Sequence, residues 1–241
     1  MFKLFFKAVF LIALLVTSSI TNASLITNGS FEILTFDDNT SIQGSVNNND
    51  LLAFNNKSRV WDVFYVLPGW VTSSGNGIEL QKNVVTQSQD GNHHVELDSH
   101  PRNASNSIMT QSLSSLTIDS DYLLTFFYKP RTNNNNDNGI NVFWYDAAHD
   151  FNSNMQADYS INAKKKNHRS WQSHSILLTA QSETMNLSFG SFGKQNGYGG
   201  LIDNVALVQV SPATTTISEP SILALSMLGF ALIARRHRKK G

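Results

Sequence analysis

The stretch LITNGSFE, residues 25–32, decides the fold of this chain together with its counterpart GLIDNVALVQV, residues 200–210. The first is a short apolar run interrupted by an Asn28-Gly29 turn signal and closed by Phe31 and Glu32. The second alternates Leu201, Asp203, Val205, Leu207 and Gln209 with Ile202, Asn204, Ala206, Val208 and Val210. A period of two sends successive side chains to opposite faces of an extended backbone, so both stretches read as strands.

Working outward from them, strand patterns recur at residues 61–66, 78–82, 84–86, 93–98, 108–113, 122–128, 140–145, 171–178 and 184–189, each bounded by polar or glycine-containing segments. Pro68-Gly69 and Asp90-Gly91 are turn signals, and the NNNNDN run of 133–138 joins two strands. Residues 33–58 turn to Asn, Asp, Ser and Thr and read as a long loop, with at best a short strand at 51–54. Short strands at this spacing, without a convincing amphipathic helix, predict an all-β fold, an antiparallel sandwich over residues 24–210.

The opening NGSFE, the closing IDNVALV and the Pro68-Gly69-Trp70 turn between them resemble the galactose-binding-like jelly rolls, which include many carbohydrate-binding modules. The similarity is greatest to a family of such domains of unknown function found in plant cell walls and exported bacterial proteins. It implies that the first and last strands lie together as a clasp. It also implies a calcium ion (Ca2+) at that clasp, with Glu32, Asp203 and Asn28 as the residues to supply oxygens, since a hard cation takes six to eight oxygen ligands. The alternative for the same residues is plain hydrogen bonding to backbone amides.

Composition bounds the chemistry. Charged residues make up only 15% of the 241, and cysteine is absent, which excludes thiol catalysis, disulfides and zinc-thiolate sites. The net charge of zero hides a division. Setting aside Lys3, Lys7 and the five basic residues at 235–240 leaves 11 basic against 17 acidic residues in 24–218, about −6, so a nucleic-acid partner is not expected. The internal cluster Lys164, Lys165, Lys166 and Arg169 reads as a solvated loop.

Three groups of residues carry candidate chemistry. Trp70, Tyr128, Trp144, Tyr145, Trp171 and Tyr198 could stack on a sugar ring, with Arg102 and Arg131 to bond hydroxyls, although a strand aromatic is by default core. Tyr198 and Arg131, in loops, are the strongest of these. His94, Glu96, Asp98 and His100 share one face of the HHVELDSH strand, either as metal or acid–base groups or, more simply, as the wet face of a half-buried strand whose Val95 and Leu97 pack inward. Glu79 and Glu96 lie on neighbouring strands as a carboxylate pair, the basis of an alternative reading as a secreted carbohydrate-active enzyme.

The two ends read as addresses. Residues 1–23, with Lys3, Lys7, an apolar run and a close at Ala23, predict a secretory signal peptide. After a linker at 211–218, Glu219-Pro220, the apolar stretch 222–234 and Arg235-Arg236 at the head of a basic end resemble the PEP-CTERM sorting signal, with Ser-Glu-Pro in place of Pro-Glu-Pro. That similarity implies an exosortase-type membrane protease as partner and transient anchoring in the inner membrane of a Gram-negative bacterium. The 13 apolar residues make about 20 Å of helix, short of a roughly 30 Å hydrocarbon core. Together these features predict an exported, non-catalytic surface or matrix protein that binds extracellular polysaccharide; a purely structural matrix or adhesion role is the further alternative.

Overall fold

A computed structural model describes residues 23–37, 46–101, 105–134, 136–162 and 170–210. Residues 1–22 of the leader, the basic cluster of 164–169, Arg102 and the sorting tail, with Glu219, Pro220, Arg235 and Arg236, lie outside the described residues. No helix among the described residues is long and apolar enough to cross a membrane.

The described residues, from 23 to 210, form one compact unit. Within it, two six-stranded antiparallel sheets face each other as a sandwich, as the strand spacing predicts. The first sheet contains β1 (Val60–Phe64), β4 (Ile78–Lys82), β5 (His93–Glu96), β7 (Asp121–Pro130), β10 (Gln172–Thr179) and β12 (Gly200–Gln209), in the order β1-β4-β5-β12-β7-β10. The second contains β2 (Val66–Leu67), β3 (Trp70–Ser74), β6 (Ile108–Leu113), β8 (Gly139–Asp146), β9 (Tyr159–Ile161) and β11 (Met185–Phe192), in the order β2-β3-β6-β11-β8-β9.

Alternation along the strands fills the space between the sheets. In β7, Tyr122, Leu124, Phe126 and Tyr128 are buried while their neighbours are half-buried on the other face. Phe126 meets Phe189 of the opposite sheet edge-on at 5.1 Å, and Phe189 meets Trp70 at 6.1 Å. Trp70 in turn packs on Phe31 at 6.0 Å. This aromatic column joins the sheets, and truncating a buried Phe within it would cost about 3–5 kcal/mol.

The opening stretch departs from the expected strand. Residues 25–32 form a turn, because Asn28 and Phe31 both take positive φ, 54° and 60°. That conformation costs roughly 1–2 kcal/mol at a bulky residue, and it sends the Phe31 ring, fully buried, into the core. The clasp itself is present. Leu25 N donates to Leu207 O at 2.8 Å and Val205 N to Gly29 O at 2.9 Å. A Cβ on Gly29 would fall 1.9 Å from Val205 O, so this approach requires glycine.

Two further expectations are corrected. Residues 51–54 belong to a helix, α1 (Asn48–Asn55), because Asn47 and Asp50 form a capping box and Leu51 and Phe54, three apart, are buried on one face. Residues 84–86 are not a strand; they belong to the β4–β5 loop. That loop folds over the outer face of the first sheet, where Lys129 Nζ donates to Thr86 Oγ1 at 2.6 Å and Trp171 Nε1 to Gln87 O at 3.0 Å.

Candidate functional site

On the outer face of the first sheet, period-two alternation sets Glu79 and Gln81 of β4 beside Glu96 and His94 of β5, with Glu79 opposite Glu96 and Gln81 opposite His94. All four are buried. The reading of His94, Glu96 and Asp98 as a wet strand face is therefore corrected: the β4–β5, β5–β6 and β11–β12 loops cover them.

A continuous line of hydrogen bonds crosses this face. Ser88 Oγ lies 2.9 Å from His94 Nδ1, and His94 Nε2 lies 3.2 Å from Gln81 Oε1. Gln81 Nε2 donates to Glu79 Oε1 at 2.8 Å and to Glu96 Oε2 at 2.6 Å. Because the Gln81 amide nitrogen is committed to the carboxylates, its oxygen is the acceptor, which places the His94 proton on Nε2. Burial, reinforced by the positive charges of Lys129, His93 and Arg131, lowers the His94 pKa to about 3, so the ring is neutral.

Glu96 takes three donors: Gln81 Nε2, Arg131 Nη1 at 2.6 Å and Gly199 N at 2.5 Å. Burial pushes its carboxyl well above the usual range; Arg131 pulls it back and Glu79 pushes it further up. An all-donor shell is that of a carboxylate, and Arg131 supplies the countercharge. At the other end, Glu79 Oε2 accepts from His100 N at 3.1 Å and from His100 Nδ1 at 2.7 Å.

Each end of the line carries an aromatic ring toward the surface. Trp61, 43% exposed on β1, lies 4.5 Å from the His100 ring at 31°. Half-buried Tyr198 has the Arg131 guanidinium 4.7 Å over its ring, a cation–π contact. Asp98 fixes the Tyr198 loop by accepting from Tyr198 N at 2.9 Å and Asn196 N at 3.2 Å, while Ser105 Oγ bonds its other oxygen.

Tyr198 and Arg131, chosen from sequence as ligand residues, are thus brought together. Trp70 is not with them. It is fully buried in the core, its Nε1 donating to Asn28 O at 3.2 Å, so its candidacy for ligand contact is corrected. Trp61, Gln81 and the His100–Glu79 contact were not singled out from sequence as site features. The signal existed in the alternation of VWDVF and IELQK, which sets Trp61, Glu79 and Gln81 on one face.

The clasp residues have their oxygens committed to N–H donors. Glu32 Oε1 accepts from Asn92 N and His93 N at 2.6 and 2.7 Å, and its Oε2 lies 2.9 Å from His93 Nδ1. Asp203 Oδ2 accepts from Gln89 N and Asp90 N at 2.7 and 3.0 Å, and Oδ1 from Asn204 N at 2.7 Å. Asn28 Oδ1 accepts from Ile33 N, and its backbone oxygen from Trp70 and Phe31. Amide hydrogens aimed at these oxygens repel a cation, so the three residues as placed do not fit a Ca2+ shell. Burial raises the Asp203 pKa to about 7 against the pull of its three amides.

Two facing six-stranded sheets, clasped where residues 25–29 meet 205–207 and carrying a sealed polar line between aromatic termini, define an all-β sandwich of the kind expected from sequence. The chain belongs, over residues 24–208, to the DUF642 family, described as proteins of unknown function. No curated protein matches it. Among solved structures it is similar to TmCBM61 in complex with beta-1,4-galactotriose, at 14% identity and TM-score 0.44 over 78% of this chain and 99% of that one. It is also similar to the K1 cleaved adhesin domain of Lys-gingipain from Porphyromonas gingivalis W83, at 16% identity and TM-score 0.44 over 64% and 100%. Against the enzymatically active domain of bacteriophage CBA120 tailspike protein 4 it covers 59% of its own length but 19% of that chain, at 16% identity and TM-score 0.41.

Proposed function

We propose that the domain is a non-catalytic binding module for extracellular polysaccharide, which contacts the polymer at the Trp61–His100 and Tyr198–Arg131 pairs. The observation that carries this reading is that two surface aromatics are held by partners rooted in one buried hydrogen-bonded line. Aromatic faces suit the apolar faces of sugar rings, and rigid anchoring lowers the entropy cost of binding. Four strand intervals separate β1 from β7, roughly 19 Å at about 4.8 Å each, a span that favours a polymer over a small ligand. The exposed amides of Asn133 and Asn136 border the Arg131 end and offer paired donors and acceptors to hydroxyls.

The same reading has the chain exported by its leader and delivered, through Glu219-Pro220 and the basic end, by an exosortase-type protease to the surface or matrix of a Gram-negative bacterium. Nothing favours Glu79 and Glu96 as a glycosidase pair, since both are buried with their oxygens accepting from Gln81, His100, Arg131 and Gly199.

Retention of the purified chain on insoluble and gel-embedded polysaccharides tests the proposal. Trp61→Ala and Tyr198→Ala are each expected to weaken retention by about tenfold or more. Absence of retention on every polymer would leave a structural matrix role, and variants that bind like the parent would overturn Trp61 and Tyr198 as the contact residues.

A further inference from the structure

On the opposite side of the sandwich from β1, the edge strands β10 and β9 leave a cavity of about 180 Å³ lined by Tyr128, Tyr159, Ser160, Asn162, Gln172 and His174, among others. His174 is held on three sides. Its ring stacks on Phe126 at 5.5 Å and 24°, meets Tyr128 edge-on at 5.9 Å, and its Nδ1 lies 3.1 Å from Tyr159 Oη. Its Nε2 is buried and bonds to nothing. A buried polar atom left without a partner is costly, and such atoms are rare enough to call for an explanation.

We propose that this cavity binds a single neutral sugar ring, with a ring hydroxyl bonded to His174 Nε2. Whichever tautomer Tyr159 selects, Nε2 is either a bare donor or a bare acceptor, and a hydroxyl satisfies both. None of the described lining residues is charged, and burial lowers the His174 pKa, so these residues offer no cation to an acidic ligand. Tyr128 and Tyr159 supply aromatic carbon, while Ser160, Asn162 and Gln172 supply polar groups at the rim. The volume lies below the ~300–1,000 Å³ of sites for larger small molecules, which limits the occupant to one ring. The site shares no residue with the Trp61–Tyr198 line and does not depend on it.

The test follows the imidazole ¹⁵N–¹H signals of His174 in the purified chain, assigned with His174→Phe and His174→Gln, during titration with methyl β-D-glucopyranoside, methyl β-D-galactopyranoside, methyl β-D-xylopyranoside and, as the acidic control, D-glucuronate. At least one neutral glycoside should displace the signals saturably, glucuronate should bind at least about tenfold more weakly, and both variants should lose the accompanying shifts at the Ser160 and Gln172 amides. If no neutral glycoside moves His174, or if the Ser160 and Gln172 shifts persist in both variants, the assignment is overturned, whatever polymer retention shows. Loss of polymer retention with the His174 response intact would overturn only the reading of the preceding section.

Discussion

Glu79 and Glu96 sit directly opposite each other across β4 and β5, both buried, and a single amide group, Gln81 Nε2, donates to both. Two carboxylates this close repel, and the amide between them supplies a hydrogen to each.

Gln81→Leu keeps the volume and removes both donors. Glu79 Oε1 and the His94 Nε2–H then lose their partner while Glu96 Oε2 keeps Arg131; at about 1–3 kcal/mol for each stripped group, a loss of roughly 2–6 kcal/mol is expected in urea unfolding. The loss should shrink on acidification, because burial and the neighbouring Glu79 already raise the Glu96 pKa and protonation removes the repulsion. A Gln81→Leu chain as stable as the parent at pH 7 would show that the bridge is dispensable.

His94 supplies the acid limb of the stability profile. Its folded pKa, about 3, lies below the ordinary 6.5, so its contribution is fully present above pH 6.5 and is lost as pH falls, when the unfolded chain takes up a proton that the folded ring refuses. Between pH 6.5 and 4.5 this amounts to about 2 kcal/mol. Unfolding free energies of His94→Gln should be flatter across that interval; parallel profiles would contradict a neutral, sealed ring.

At the clasp, Glu32 and Asp203 act as clamps on the β4–β5 loop, holding Asn92 and His93 on one side and Gln89 and Asp90 on the other. Thermal melts with excess calcium and with chelator are accordingly expected to coincide. A bound ion at a hundredfold excess over Kd would instead add about 2.7 kcal/mol, a shift of several degrees. Asp203→Ala should lower the melting temperature equally in both conditions.

For the tail, mass spectrometry of the mature protein from its producing cell is expected to find no residue beyond the neighbourhood of Glu219-Pro220. Alanine at both positions should leave the chain in the membrane fraction. An intact Arg235–Arg236 end on the mature protein would contradict sorting.

How far residues alone could lead depended on the range of the interaction. Strand alternation is local, so β4, β6, β7 and β12 were legible; the meeting of residues 25–29 with 205–207 followed only from the family resemblance. The turn at residues 25–32 was not, because the positive φ of Phe31 is stabilised by Trp70, nearly forty positions away. The helix at 48–55 announced itself through Asn47 and Asp50 but was outweighed by the polar run around it. The burial of His94, Glu96 and Asp98 could not be read from a polar strand face, since the covering loops come from elsewhere in the chain. Likewise the orphan Nε2 of His174 exists only where β9, a three-residue strand with too few positions to show alternation, meets β10.

The place of β12 has a consequence for how the molecule comes to be. The final strand enters the middle of its sheet, antiparallel to β5 on one side and β7 on the other. For a chain that emerges N-terminus first, the half made of β1, β4 and β5 and the half made of β7 and β10 have no shared backbone ladder until residues 200–209 arrive. Closure of the first sheet therefore waits for residues 200–209 to join the two halves, a high-contact-order step that is slow by topology.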